Sequence, residues 1–565
     1  MTFTPAVTEQ RFVLDQIVRI GELAASERFA AASEDVVDAV LEGVGQFAAG
    51  EWAPLNRAGD TVGAKWTPDG VVMPEGYPQA YKDYVEGGWG TIGAPEAFGG
   101  QGLPFALSTA VLETLGTANM GFALCPTLTV GAIEALVHHG TPEQQAAYLP
   151  HLATGEWTGT MNLTEPQAGS DVGALRATAT PRGDGTYSIK GTKIFISFGD
   201  HDMAPNIVHL VLARTPEAPA GTRGISLFLV PKYRLNADGT PGDSNDVRVV
   251  SIEHKMGLHA SPTCVLSFGD SDECVGELIG PEFGGMRAMF TMMNNARLNV
   301  GLQGVQVAEA ATQRAVAYAR ERVQGARKTG AAAIIEHPDV RRMLLRMKAQ
   351  TQAARALVYY AAAQVDRAAI GEAGAQNRLE VLTPLAKAHG TDLGNEVASL
   401  GVQVHGGMGF IEETGAAQFF RDARITPIYE GTNGIQAADL VGRKLALDNG
   451  GAFAGLMADL RGATSPALAE LVAACDEVGR AMQAMDADDK LAGSYPFLTM
   501  LSVATCGWLM EREGAAVGND DFGRMKKACV RFYLEQIVPE ALGLKASALA
   551  GAEVLYAVEA DAFAV

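Results

Sequence analysis

"TYSIKGTKIFISF", residues 186–198, marks the point where the hydrophobic pattern of this chain changes period. Before it, apolar residues recur at three and four. "RFVLDQIVRIGELAAS" (11–26), "EDVVDAVLEGVGQFAAG" (34–50) and "ALSTAVLETLGTAN" (106–119) carry this helical spacing. Gly/Pro-rich breaks at 72–78 and 93–104 separate those helices. From about 160 the pattern switches to strands, in runs that are short, β-branched and divided by turn residues. "NIVHLVLART" (206–215), "GISLFLVP" (224–231), "VRVVSI" (247–252) and "TCVLSFGD" (263–270) follow, predicting an antiparallel β unit. Helical spacing returns after "GGMRAMF" (284–290). One helix is expected over 286–325 and others over 337–365 and 378–400, which read as a four-helix bundle.

The expected fold is therefore multidomain α+β. An N-terminal α-helical domain (1–158) precedes a middle antiparallel β-barrel domain (159–283). A C-terminal four-helix bundle (284–449) and an additional helical extension (450–565) follow. Hydrophobic residues at 47% and charged residues at 19% describe a soluble globular protein. The net charge of −21 opposes nucleic acid and anionic lipid as non-specific partners. Six cysteines without a C-x-x-C pair argue against a disulfide framework or zinc site and fit a reducing cytoplasm. The ten histidines show no i, i+4 pair, so no metal is expected. The N-terminus has no basic region ahead of an apolar stretch, and no apolar run is expected to reach the ~18 residues of a membrane span.

Several stretches can carry chemistry. "MNLTEPQAGSDVGALRA" (161–177) offers hydroxyls and backbone N–H groups to an anion or a polar ring edge, or is an ordinary turn. Phe195 and Ser197 are two apart on a strand, so they share a face and could flank a planar ligand, although an aromatic in a strand is usually a core residue. Asn294 and Arg297 share a helical face that Gly301 and Gly304 continue, so something can approach it closely; the alternative is a solvated arginine with glycines tolerated for helix packing. Arg320 and Arg322 end a helix, where cations suit the dipole or a phosphate. His405, before a Gly-rich turn, reads as structural.

Glu430, in "RITPIYEGTNGIQAADLVGRK" (424–444), is an acid on a loop. It stands about six residues before the expected helix at "ADLVGRKL", too far for a capping charge. Ile428 and Tyr429 precede it and Gly431 follows, poor company for a solvated acid. Such a carboxyl should be desolvated with a raised pKa, which suits a general base.

Taken in order, "LTEPQAGSD", "GTKIFIS", "QVHGGMG", "RDARI" and "IYEGTNGIQ" resemble the acyl-CoA dehydrogenase family over roughly residues 80–445. The resemblance implies FAD between the β unit and the bundle. Met161, Leu163 and Thr164 would contact the isoalloxazine, and Gly169 and Ser170 the pyrophosphate. Phe195 would take the place of the usual tryptophan, with Ser197 near N5. Arg322, Gln403 and Gly407 match positions that reach a neighbouring subunit's FAD, although "RERVQG" is shorter than the usual form; Thr432 matches a contact after the base. Glu430 matches the catalytic base. Some members carry the base at the position of Ala296, where alanine cannot serve. Ser170, Asn294, Arg297, Tyr429 and Gly431 match substrate-side positions, and Met292, Met293 and the residues near Phe122 are candidates for the acyl pocket.

The implied activity is α,β-dehydrogenation of an acyl-CoA, with electrons passed to electron-transferring flavoprotein. The length resembles the long bacterial subgroup that includes the 3-methylmercaptopropionyl-CoA dehydrogenases, for which a homodimer is expected. Two rivals stay open: an acyl-CoA oxidase using O₂, and a DNA-associated flavoprotein with a basic C-terminal domain. Residues 451–565 hold 16 acidic and 9 basic side chains. Their one basic cluster, Arg524, Lys526, Lys527 and Arg531, reads as a solvated helix face.

Overall fold

The computed structural model describes residues 3–328 and 330–564, and the Asn294 side chain lies outside the described part. The chain forms two compact units, residues 43–296 and residues 1–42 with 297–565.

In the 43–296 unit, helix α1 (Phe105–His139) is interrupted at Asn119, whose backbone is non-helical. The freed Phe122 amide donates to Asn119 Oδ1 at 3.2 Å, satisfying a buried donor at the break. Phe122 stacks on Trp52 at 4.2 Å and lies 4.5 Å from Tyr77, so it is an aromatic core residue. An 18-residue window of α1 has mean hydropathy 1.6, long and apolar enough to cross a membrane, against the expectation of no such run. That window is 72% buried in the protein, and its small Ala, Gly and Thr residues suit close helix packing.

Strands β1 (Thr158–Asn162), β2 (Thr178–Pro181), β3 (Tyr187–Ser197), β4 (Ile207–Ala213), β5 (Ser226–Pro231), β6 (Val247–Ile252), β7 (Thr263–Phe268) and β8 (Val275–Ile279) form one sheet. Its order is β6-β7-β3-β8-β5-β4-β1, with β2 also on β3. All five strands read from the sequence are present; β1, β2 and β8 are additional. The sheet is not wholly antiparallel: β1 and β4 pair in parallel, Thr158 opposite Ile207. A parallel pair needs a long crossover, and the segment containing β2 and β3 supplies it. Among the described residues no ladder joins β6 to β1, so the strand path is open. β1, "TGTMN", is fully buried, yet its Thr, Gly and Asn resemble a loop.

In the other unit the long helices are α2 (Gly285–Glu321, from residue 297 on), α3 (Pro338–Ala369) and α4 (Ala375–His405). The first stops at Glu321, short of the expected 325, because Val323–Arg327 pairs with Gly330–Ala333 as a hairpin. Helix α5 (Asn433–Gly442) follows, and α6 (Ser494–Ala516), from the extension, packs on α3, α4 and α5. The close approach expected at Gly301 and Gly304 is made by α4. A Cβ at Gly301 would fall 2.5 Å from the Ala386 carbonyl oxygen, and one at Gly304 1.9 Å from that of Gly390. Gly390 and Gly394 meet Gly301 and Gly304 from the other side.

The basic cluster of the extension is not a solvated face throughout. Lys526 is fully buried and paired with Glu9 and Glu513; Arg524 pairs with Asp521 and Arg531 with Glu535. All six cysteines are free and buried.

Overpacking a backbone contact costs roughly 1–3 kcal/mol. Gly304→Ala should therefore lower the melting midpoint by several degrees in a thermal scan. Gly442→Ala, where a Cβ would meet nothing within 4 Å, should leave it level or slightly higher. Equal effects at the two sites would reject the close-contact account.

Candidate active site

The segment around Glu430 is a tight turn that feeds α5. Thr432 caps that helix, its hydroxyl oxygen accepting from the Ile435 amide at 3.1 Å. The helix therefore starts at Asn433, three residues after Glu430 rather than about six. Asn433 and Gly434 look like loop residues, but the Thr432 cap and the buried Asn433 side chain let the first turn form. The turn is closed by the Asn433 amide, which donates to the Pro427 carbonyl at 2.9 Å. Glu430 and Gly431 both lie in the left-handed region, at φ +56° and +85°. For glutamate that conformation costs roughly 1–2 kcal/mol, so the surrounding contacts hold it there. Gln436 Nε2 donates to the Gly431 carbonyl at 3.3 Å. A Cβ on Gly431 would meet that nitrogen at 2.9 Å and Arg297 Nη2 at 3.8 Å.

Glu430 is half-buried, and burial raises its carboxyl pKa as the sequence predicts. Two cations oppose that shift: Arg297 on α2 and Lys387 on α4. Arg297 is itself buried, and among the described residues its Nε has no hydrogen-bond partner. Burial lowers its pKa against the fields of Asp439 and Glu430. Lys387 has no exposed surface; burial brings its ammonium down to about 8, opposed by Asp392 and Glu430. Its Nζ donates to Asn433 Oδ1 at 2.8 Å. The Tyr429 hydroxyl donates to Gln303 Oε1. The turn is therefore held by α2 on one side and α4 on the other. Lys387, Asn433 and Gln303 were missed in the sequence. A lone lysine in the apolar run "LTPLAKAHG" (382–390) was the available signal.

Among residues 43–296, the resemblance-derived positions on β1, its following loop and β3 come together. Met161 is buried, and Leu163 and Thr164 are half-buried. The Ile194 amide donates to the Thr164 carbonyl at 2.9 Å. Lys193 Nζ donates to the Leu163 carbonyl at 3.0 Å and to Glu165 Oε1 at 2.8 Å. Glu165 also accepts the amides of Arg176 and Ala177 at 2.7 and 3.0 Å. Burial alone would raise the Glu165 carboxyl, but Lys193 and those amides outweigh it and hold it low. This buried pair, also unforeseen, pins both ends of the loop that carries Gly169 and Ser170, which are exposed.

Strand β3 is bulged where it faces β7, between Lys193 and Ile196. Phe195 sits in the bulge at φ +59° and is 59% exposed. Ile196 is buried and Ser197 half-buried, so the aromatic and the hydroxyl share the side away from the core. A core role for Phe195 is thereby excluded.

Arg322, Gln403 and Gly407 are exposed. Ala296 is buried, as is Met292, while Met293 is half-buried. His405 is structural: Nδ1 bonds the Gly401 carbonyl at 2.7 Å and its ring stacks on Tyr318 at 4.3 Å. The Asn294 side chain lies outside the described residues.

Four family models cover the chain in order. They are the acyl-CoA dehydrogenase N-terminal domain (36–156), middle domain (160–271) and C-terminal domain (284–445), and the acetyl-CoA dehydrogenase C-terminal-like domain (437–559). The chain is 45% identical to the 3-methylmercaptopropionyl-CoA dehydrogenase of Ruegeria pomeroyi, over 96% of this chain and 97% of that one. The chain belongs to the acyl-CoA dehydrogenase family. It is accordingly an oxidoreductase acting on a CH–CH bond, and FAD is that family's cofactor. A Bacillus anthracis acyl-CoA dehydrogenase complexed with FAD shares the fold, with a TM-score of 0.75 at 24% identity over 95% of this chain and 92% of that one. A chain from the structure of the electron transferring flavoprotein of Acidaminococcus fermentans matches with a TM-score of 0.62 at 29% identity. That match covers 74% of this chain and 99% of the other.

Breaking a buried ion pair from one side costs roughly 3–5 kcal/mol. Lys193→Met should therefore lower the melting midpoint by roughly 10 °C. Adding Glu165→Gln to that variant should recover part of the loss; a double variant less stable than Lys193→Met would contradict the pairing.

Proposed function

We propose that this chain catalyses FAD-dependent α,β-dehydrogenation of a short or medium acyl-CoA, of the 3-methylmercaptopropionyl class, to the trans-2-enoyl-CoA. Glu430 is the base. The observation that carries this reading is the balance at its carboxyl. Burial favours the protonated form, while Arg297 and Lys387 keep the ionised form accessible. A base poised in this way can wait ionised and still keep a proton once it arrives.

The FAD fit rests on Phe195. An exposed aromatic held at a left-handed bulge beside Ser197 offers a stacking face and a hydroxyl to a planar heteroaromatic ring. Met161, Leu163, Thr164, Gly169, Ser170 and Thr432 are the other proposed contacts. Bound FAD supplies the acceptor for the hydride that leaves the β carbon. The protein's own residues do the rest. Glu430 takes the α proton, a step for which a positioned base is worth roughly 10²–10⁴-fold. That is too little for so weak a carbon acid, so the thioester oxygen must be held as it becomes enolate-like. The Glu430 amide, oriented by the left-handed pair Glu430–Gly431, is the proposed protein donor, worth roughly 10²–10³-fold. Ser170, Asn294, Arg297, Tyr429 and Gly431 line the proposed substrate side.

Arg322, Gln403 and Gly407 are exposed, and so are Met408, Phe410 and Ile411 beside them. This surface supports a homodimer in which these residues reach the neighbour's FAD. Electron-transferring flavoprotein is the proposed acceptor, and the cytoplasm, where six free cysteines persist, the proposed compartment. The burial of Lys526 in ion pairs removes the centre of the basic patch that a DNA-associated role would use.

Glu430→Gln should keep its FAD and lose flavin reduction by acyl-CoA under anaerobic conditions; a variant that still bleaches would overturn the base assignment. The acid limb of kcat/KM should lie above the ~4.3 of a free glutamate. Lys387→Met removes a cation that favours carboxylate, so the limb should move to higher pH. A limb that stays put or moves down would show that Lys387 does not act on Glu430.

A further inference from the structure

The residue that links the extension to this turn is Tyr495, on α6. Its hydroxyl donates to Asp392 Oδ2 at 2.6 Å. Asp392 Oδ1 accepts from Asn433 Nδ2 at 2.8 Å, and Asn433 Oδ1 accepts from Lys387 Nζ at 2.8 Å. Asn433 Nδ2 also reaches Thr391 Oγ1 at 2.9 Å and the Ala388 carbonyl at 3.1 Å. The Asn433 carboxamide, 3% exposed, is thus bonded on both of its polar atoms. Asn433 is also the first residue of α5, and its amide closes the turn that holds Glu430. A continuous hydrogen-bonded chain therefore runs from the extension to the backbone and to the cation beside the base.

We propose that Tyr495 is a positioning residue for the dehydrogenation. Through Asp392 and Asn433 it fixes both the Glu430 turn and the Lys387 ammonium, so the C-terminal extension completes the active site from behind. The inference rests on Glu430 as base.

The charges follow from the chain of contacts. Burial raises the Asp392 carboxyl, and Tyr495, Asn433, Lys387 and Arg424 oppose that rise. Removing the Tyr495 donor makes Asp392 easier to protonate. A neutral Asp392 no longer supports the buried Lys387 ammonium. A neutral Lys387 no longer favours ionised Glu430, whose other facing groups are Arg297 and Tyr429. Loss of one hydroxyl at residue 495 should therefore be felt at the base as a rise in its pKa.

The test is Tyr495→Phe, which keeps the ring of a side chain that is 38% exposed and deletes only the donor. Rates are taken per bound FAD, alongside Asp392→Asn and Glu430→Gln. The expected result for Tyr495→Phe is unchanged KM, a kcat lower by roughly 3- to 10-fold, and an acid limb displaced to higher pH. Asp392→Asn should shift the limb in the same direction and further. If Tyr495→Phe loses thermal stability or FAD while kcat per FAD and the acid limb stay at wild-type values, its role is structural and the proposal is overturned. A wild-type profile in every respect overturns it equally. Glu430→Gln separates the two readings. If it still reduces flavin, the base assignment fails; if it is dead while Tyr495→Phe is normal, only the positioning role fails.

Discussion

Helices α2 and α4 touch backbone to backbone, and the geometry of the candidate site follows from that contact. Gly301 and Gly304 on one helix and Gly390 and Gly394 on the other leave no room for a Cβ between them. Side chains flanking the contact are forced outward along both helices. Arg297 and Gln303 project from α2 and Lys387 from α4, and all three act on the short segment Tyr429–Asn433. A wider separation would pull Tyr429 from Gln303 on α2 or Asn433 from Lys387 on α4. The four glycines give up helix propensity, roughly 1 kcal/mol each relative to alanine, for an approach that larger residues forbid.

That geometry explains how a glutamate can stay on a turn in a left-handed conformation. The preceding hydroxyl is bound by Gln303, the following carbonyl by Gln436, and the first residue of α5 by Lys387, Asp392 and Thr391. The carboxyl itself is the group left to respond to what arrives. Burial raises its pKa, and the two cations oppose that rise.

The parts of this arrangement that depend on period were legible in the sequence. The alternation in 186–198 and the four runs after it are strands, and the three-and-four spacing over 286–321 and 338–365 is helix. What depends on partners was not legible. The parallel pairing of β1 with β4 leaves no trace in "TGTMN", because period says nothing of strand direction. The bulge at Phe195 comes from a register shift against β7 and appears only when the ladder is paired. Glu430 could be singled out because an acid among Ile, Tyr and Gly is chemically conspicuous. Lys387, Asp392 and Asn433 each look ordinary in their own stretch, and their meaning lies in contacts across 41 to 46 residues of chain.

The extension is bound by polar groups that cannot be released cheaply. Lys526 sits without exposed surface between Glu9 and Glu513, and Arg355, 1% exposed, holds Glu309 at 2.9 Å nearby. Separating residues 450–565 from Glu9 and from α3 would break the Lys526–Glu9 and Arg346–Glu540 pairs, and a charge left buried without its partner costs several kcal/mol. Burial with Glu9 already pushes the Glu513 carboxyl up to about 7, against the pull of Lys526. Such an interface gains little from its ion pairs as such, but it resists sliding, because each charge has one acceptable position. Tyr495 needs that property. A hydrogen bond of 2.6 Å to Asp392 transmits position only if the helix that carries it cannot shift, and the buried ions on the same extension supply that fixity.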